Sequence, residues 1–343
     1  MFNKKYFLGS YIFTFFGLIL GALVGWYYNN NIDAAIYSMF IVFVLSILEV
    51  SISFDNAVVN ASVLKKMTPL WQHRFLTWGM LIAVFGMRLI FPLLIVAVTA
   101  HVGPVEALKM AAFNPDQYAQ MMLSVEHEVA SFGGAFLLLV ALKYFIDIEK
   151  ETHWIRFLEI PLSKIGHLEA IEVGITILVL LLLSQIVPDQ ERLAVLISGL
   201  AGIITFLIVQ SIEIVLEMSS DQQKSIERAS IGMFLYLEVL DSSFSFDGVV
   251  GAFAISNNLF IIAIGLGIGA MFVRSLTIMM VDKGTLEAFK FMEHGAFWAV
   301  MSLAIIMLVN TFTHIPEVIT AGLGAAIIGL SIWSSIKSKG LSG

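Results

Sequence analysis

Leu48-Glu-Val-Ser-Ile-Ser-Phe-Asp-Asn-Ala-Val-Val-Asn-Ala61 is the stretch on which the fold turns. It sets two carboxylates, Glu49 and Asp55, inside an apolar run that reaches from Ile36 to Leu64. About 20 such residues cross the hydrocarbon of a bilayer. An ionised side chain at the centre of a span costs about 2.5–3.5 kcal/mol on insertion scales. A cost of that size calls for a partner or a function. The pattern recurs as Asp241-Ser-Ser-Phe-Ser-Phe-Asp-Gly-Val-Val-Gly-Ala252. Glu49 aligns with Asp241 and Asp55 with Asp247, both at an offset of 192 residues. The chain therefore reads as two copies of one acidic membrane helix, each with supporting helices.

The composition agrees. Of 343 residues 59% are hydrophobic and only 13% charged, whereas soluble domains carry about 25% charged residues. The absence of cysteine removes disulfides, thiolate metal sites and thiol catalysis together. No basic patch suited to nucleic acid is present.

Ten apolar segments can be drawn, at about 6–28, 36–64, 75–100, 129–146, 170–187, 192–216, 229–256, 259–281, 295–313 and 317–336. The first follows Lys4 and Lys5 but is longer than a cleavable signal core, so it reads as a retained span. With the N-terminus inside, fifteen of the 19 Lys and Arg fall on the inner side. Only Lys109 and Arg192 fall outside, while Arg88 and Arg274 lie within spans. That asymmetry predicts both termini in the cytoplasm. The expected location is the plasma membrane, the bacterial inner membrane.

Spans two and seven are five apart, so the two acidic helices cross in opposite directions. This predicts an all-α polytopic protein built as a five-plus-five inverted repeat, residues 1–187 and 188–343, a plan common among secondary transporters. Gly79 precedes Arg88 by nine residues and Gly265 precedes Arg274 by nine; Glu126-His127 opens span four and Glu293-His294 opens span nine. The longest loops are the outer one from Ala100 to Glu128 and the inner one at 147–169. The acids and histidines of the outer loop read either as a solvated surface or as a vestibule that collects metal.

Helical phase sorts the buried polar residues. Glu49, Ser53 and Asn56 stand at i, i+4, i+7 and share a face, and Asp241, Ser245 and Gly248 repeat it. Asp55 and Asp247 point about 240° away on a regular helix. They join the same cavity only if the helix unwinds, as it can at Ser-Phe-Asp; the other reading is a continuous helix whose Asp meets a neighbour. Glu238 lies one turn before Asp241 with no counterpart in the first repeat. Arg88 and Arg274 are expected as counter-ions. Four acids against two arginines leave two negative charges, enough to balance a divalent cation. Carboxylate, amide and hydroxyl oxygens suit Mn²⁺, Mg²⁺ or Ca²⁺ rather than soft metals. The expected metal ligands are Glu49, Asp55, Asp241 and Asp247, with Asn56, Glu238, Ser53 and Ser245 beside them.

The two acidic motifs, with Glu238 just before the second, resemble those of the TerC family of integral membrane proteins. The second departs from the family pattern Asp-Ser-Ile-Pro in having Asp247-Gly-Val-Val. That family belongs to the LysE-type exporter superfamily and is associated with tellurium resistance clusters and manganese export. The resemblance implies an exporter of a divalent metal, with Mn²⁺ first, and carries the family's polar positions onto Glu49, Asp55, Asn56, Asp241 and Asp247. It implies no enzymatic activity and no required cofactor; the metal is the substrate. Two other functions stay open: a scaffold that recruits soluble stress-response proteins at the inner loop, and an intramembrane aspartyl protease using Asp55 and Asp247. The Gly-x-Gly-Asp feature familiar from such proteases is absent.

Overall fold

The structure, a computed structural model, describes residues 4–79, 81–99, 101–217 and 222–340. It is all-helical, with no strand among the described residues. In order the helices are α1 (Lys4–Asn29), α2 (Ile32–Ile52), α3 (Phe54–Leu64), α4 (Pro69–Arg74), α5 (Phe91–Thr99), α6 (Pro104–Phe113), α7 (Pro115–Ser124) and α8 (Glu126–Ile146). Then come α9 (Arg156–Ile165), α10 (Ile171–Leu183), α11 (Arg192–Glu217), α12 (Gln222–Phe253), α13 (Leu259–Asp282), α14 (Thr285–Ala288), α15 (Met292–Asn310) and α16 (Glu317–Gly340). Between α4 and α5 the chain is wound as π-helix over Phe75–Gly79 and Ile82–Ile90.

Among the described residues eight stretches are long and apolar enough to cross a membrane. The protein is a polytopic all-α membrane protein. Two further helices coincide with expected spans. The apolar α10 has 13 residues, about 20 Å; α12 has 32 and carries Glu238, Asp241 and Asp247 in its run. The surface is what a lipid solvent selects: Phe16 is 64% exposed, Leu182 60% and Trp333 61%.

Helices from the two halves of the sequence interleave. Helix α13 packs on α1 and α2, α15 packs on α8 and α3, and the π-wound span packs on α12 and α13. Glycines permit the closest approaches: a Cβ on Gly265 would stand 2.6 Å from Leu45 Cβ.

The interior is layered. One apolar cluster gathers Val58–Leu64 of α3, α8, Leu237 and Leu240 of α12, Met280 of α13 and Phe75. The other gathers Ile41–Leu45 of α2, Val249–Phe253 of α12, Leu259–Ile268 of α13 and Val96. Between the two, on each of these four crossings, lie Glu49 to Asn56, Asp241 to Ser245, Arg274 and Arg88.

The loop at 147–169 is pinned down by one acid. Glu159, on α9, is fully buried. Its Oε1 accepts from Trp298 Nε1 at 3.0 Å and from the Ile155 amide at 3.1 Å, while Oε2 accepts from the Trp154 amide at 3.1 Å. Lys150 Nζ is 3.3 Å from Oε2, and His153 and His294 are at 3.7 and 3.6 Å. Lys150 also lies 4.0 Å over the Tyr144 ring, which stacks on Phe297 at 3.8 Å. Burial pushes the Glu159 carboxyl up, but the indole and amide donors and the nearby positive charges outweigh it and hold its pKa below the usual value.

A depressed folded pKa stabilises above the unfolded value and is lost as pH falls through the folded one. The loop should therefore loosen in acid, below about pH 4. Glu159→Leu orphans three buried donors at about 1–3 kcal/mol each. We expect it to open the loop to limited proteolysis at neutral pH; protection equal to wild type would show that Glu159 does not hold it.

Candidate functional site

Helix α2 ends at Ile52, Ser53 leaves the helical region (φ −93°, ψ 17°), and α3 begins at Phe54. The interruption is a single residue. The Ser53 amide still donates to Glu49 O at 2.9 Å and the Ala57 amide to Ser53 O at 3.2 Å. Phase therefore survives the break, and Glu49, Ser53, Asn56 and Asn60 line one cavity. Asp241 and Ser245 of α12 face it from across the bundle, with Arg88 and Arg274 closing its sides. The same phase holds on α12, where a Cβ on Gly248 would stand 3.2 Å from Glu49 Oε2.

The cavity has a volume of ≈ 20 Å³, room for about one water-sized occupant. Around it each arginine meets acids of the neighbouring span in sequence. Arg88 Nη2 donates to Glu49 Oε1, which also accepts from Ser53 Oγ at 2.9 Å. The other guanidinium nitrogen, Nη1, donates to Ala83 O. Arg274 Nη2 lies 3.6 Å from Asp241 Oδ2 and 3.8 Å from Glu238 Oε1. Its Nη1 donates to Phe75 O, and the guanidinium sits 4.3 Å over the Phe75 ring. Asn60 Nδ2 donates to Asp241 Oδ1 at 2.7 Å. Three oxygens on the cavity residues, Asn56 Oδ1, Asn60 Oδ1 and Ser245 Oγ, are buried without a hydrogen-bond partner among the described residues. Orphaned oxygens of that kind are costly and mark a place for a ligand, ion or water.

One expectation is corrected. Asp55 does not join the cavity: it is buried on the far side of the helix, accepts the Asn56 amide at 2.9 Å, and faces α16, where a Cβ on Gly324 would stand 4.0 Å from its Oδ2. A one-residue kink is too small to turn it inward. The Asp247 side chain lies outside the described residues. The charge balance changes accordingly. Among the described side chains Glu49 and Asp241 face two arginines and are neutralised, and Glu238, when ionised, adds one negative charge. Among the described residues, no three His, Asp or Glu side chains are placed to hold a metal ion.

Asn60 and Gly269 are site residues that sequence reasoning passed over. Asn60 continues the face of Glu49, Ser53 and Asn56 by one more turn, a visible signal. Gly269 is legible only in three dimensions: a Cβ there would overlap Glu49 Cβ, with Glu49 Cγ at 2.5 Å and Ser46 O at 2.8 Å. The paired histidines meet protein groups outside the cavity. His127 meets Asn310 O at 3.3 Å and Glu191 at 3.6 Å, and His294 meets Thr152 O at 2.6 Å. In the outer loop Asp116 accepts from Asn257 at 2.8 Å and Glu106 from the Gly103 amide at 3.4 Å.

The chain belongs to the family described as "Protein of unknown function (DUF475)", which matches residues 54–340. The match opens just past the kink, and takes in Asn56, Asn60, Arg88, Asp241 and Arg274 but not Glu49. No curated protein and no solved structure matches the chain.

Gly269→Ala should force α13 away from α2, since backbone as well as the Glu49 stem stands in the way. We expect about 1–3 kcal/mol of destabilisation, the usual cost of overpacking, read as a lower melting temperature in detergent. An unchanged melting temperature would mean that the two helices do not approach this closely.

Proposed function

We propose that the protein is a transporter that exports a divalent metal cation, with Mn²⁺ the first candidate and Mg²⁺ or Ca²⁺ the others. The observation that carries this reading is the small buried cavity amid the helices of a membrane bundle, where two carboxylates and three partnerless oxygens from opposite repeats converge. A donor set of carboxylate, amide and hydroxyl oxygens favours hard divalent cations. The resemblance of both acidic motifs to the TerC family points the same way and supplies the direction of transport. The ordered recurrence of Glu49 and Asp241, of Arg88 and Arg274, and of the flanking helices supports alternating access across an inverted repeat. In this reading Glu49 and Asp241 supply the charge, while Asn56, Asn60, Ser53 and Ser245 complete the shell. Asp55, buried beside α16, lies off this site. The lysine-rich end, with Lys65, Lys66 and Lys143, faces the cytoplasm.

Glu49→Gln and Asp241→Asn keep the shape of the side chain and remove the charge. Each should abolish Mn²⁺ flux into proteoliposomes and the Mn²⁺-induced rise in melting temperature, because a ligand stabilises only the state that binds it. Neither should prevent insertion, since neutralising an intramembrane acid lowers its insertion cost. Wild-type flux and melting shift in both variants would sink the transport site proposed here.

A further inference from the structure

We propose that Arg88 is the protein's own substitute for the cation: it occupies Glu49 when the site is empty and withdraws when a divalent ion binds, so that the empty carrier reorients without a counter-ion. This rests on the transport reading above and adds to it the driving force for the return step.

Charge balance is the first reason. With Glu49, Asp241 and Glu238 ionised and both arginines in place, the described side chains of the empty site sum to one negative charge. A dication added to that arrangement leaves one positive charge in the middle of a membrane bundle. If Arg88 leaves as the dication enters, three acids, Arg274 and the ion sum to zero. The loaded and empty sites then differ by a single charge, and neither strands a dication's worth of uncompensated charge in hydrocarbon. Geometry favours the same exchange: Glu49 Oε1 already accepts from both Arg88 and Ser53, in a cavity with space for one small occupant. A metal bound through Glu49 Oε1 must displace a donor that is there now.

The two arginines are anchored differently. Arg274 sits on the regular helix α13, its guanidinium tied to the Phe75 carbonyl and lying over the Phe75 ring. Arg88 sits on the π-wound stretch Ile82–Ile90, and apart from Glu49 its guanidinium bonds only to Ala83 O of that same stretch, which moves with it. A π-helix carries more residues per turn than an α-helix and is found frequently at functional sites. Tightening such a turn to α-helix rotates the remainder of the span by about 100°, one residue step. That rotation is enough to carry the Arg88 side chain off Glu49. Arg88 is thus the mobile cation and Arg274 the fixed one.

The test uses the full-length protein in proteoliposomes, with Mn²⁺ as the probe and the potential clamped by potassium and valinomycin. Wild type should move Mn²⁺ down its gradient as a current of two charges per ion, with no proton movement reported by a luminal pH dye. Arg88→Gln should bind Mn²⁺ about tenfold more tightly in detergent, because its internal competitor is gone. Net flux should fall at least tenfold, and Mn²⁺–Mn²⁺ exchange should fall less. A merely structural arginine would give weaker binding when removed. Unchanged or weaker binding in Arg88→Gln overturns the proposal. So does an obligatory proton counterflow in wild type, which needs no variant to fold. Wild type that moves no Mn²⁺ at all would instead remove the transport reading on which the proposal stands.

Discussion

The pairing of Arg88 with Glu49, matched by Arg274 with Asp241 and Glu238, is the constraint around which the bundle is arranged. Each is a charge on one span answered by a charge on the next, and all of them are buried. Breaking a buried ion pair by removing one partner typically costs about 3–5 kcal/mol. The pairs therefore hold α2, the π-wound span, α12 and α13 in one register. Apolar packing alone would not: lipid tails compete for the same apolar surface, so helix association in a membrane depends on close packing and polar contacts. The glycines supply the close packing. Gly79, Gly248, Gly265 and Gly269 all stand where a Cβ would meet a side chain of the facing span, Glu49, Glu238 or Leu45 among them.

The layering of the interior is a consequence. Two apolar clusters lie at the two ends of the bundle and the polar site sits between them. Such an arrangement lets an ion be isolated from both faces while its ligands stay satisfied. It also makes the site small; under the proposed mechanism its state is decided by which cation, the protein's or the solvent's, neutralises Glu49. The pinned loop at the lysine-rich end fits the same economy of charge: Glu159 is buried only because six donors and cations surround it.

Much of the site was legible in the sequence, for identifiable reasons. Glu49, Ser53 and Asn56 at i, i+4, i+7 form a phase that a one-residue kink does not disturb, so their common cavity followed from spacing. Glu49 and Asp241 at a constant offset predicted that the two helices share a site, and in-span arginines predicted their counter-ions. Other features were hidden. No spacing rule distinguishes the π-wound span from an ordinary one, because the difference lies in hydrogen-bond pairing, with residues such as Phe75, Gly79 and Arg88 otherwise ordinary. Asp55 looked equivalent to Glu49 because both are acids in one apolar run, yet the rotation per residue sends it to α16. Glu159 reads as one more loop acid until Trp298 and His294 arrive from a helix more than a hundred residues away.

The mechanism stands or falls on the partner of Glu49 when the metal is present. The direct measurement is a structure of the protein with Mn²⁺, located by its anomalous scattering. We predict a peak between Glu49 and Asp241, bordered by the amide oxygens of Asn56 and Asn60, with the Arg88 guanidinium no longer bonded to Glu49. A peak elsewhere in the bundle, or Mn²⁺ bound while Arg88 and Glu49 remain paired, would contradict it.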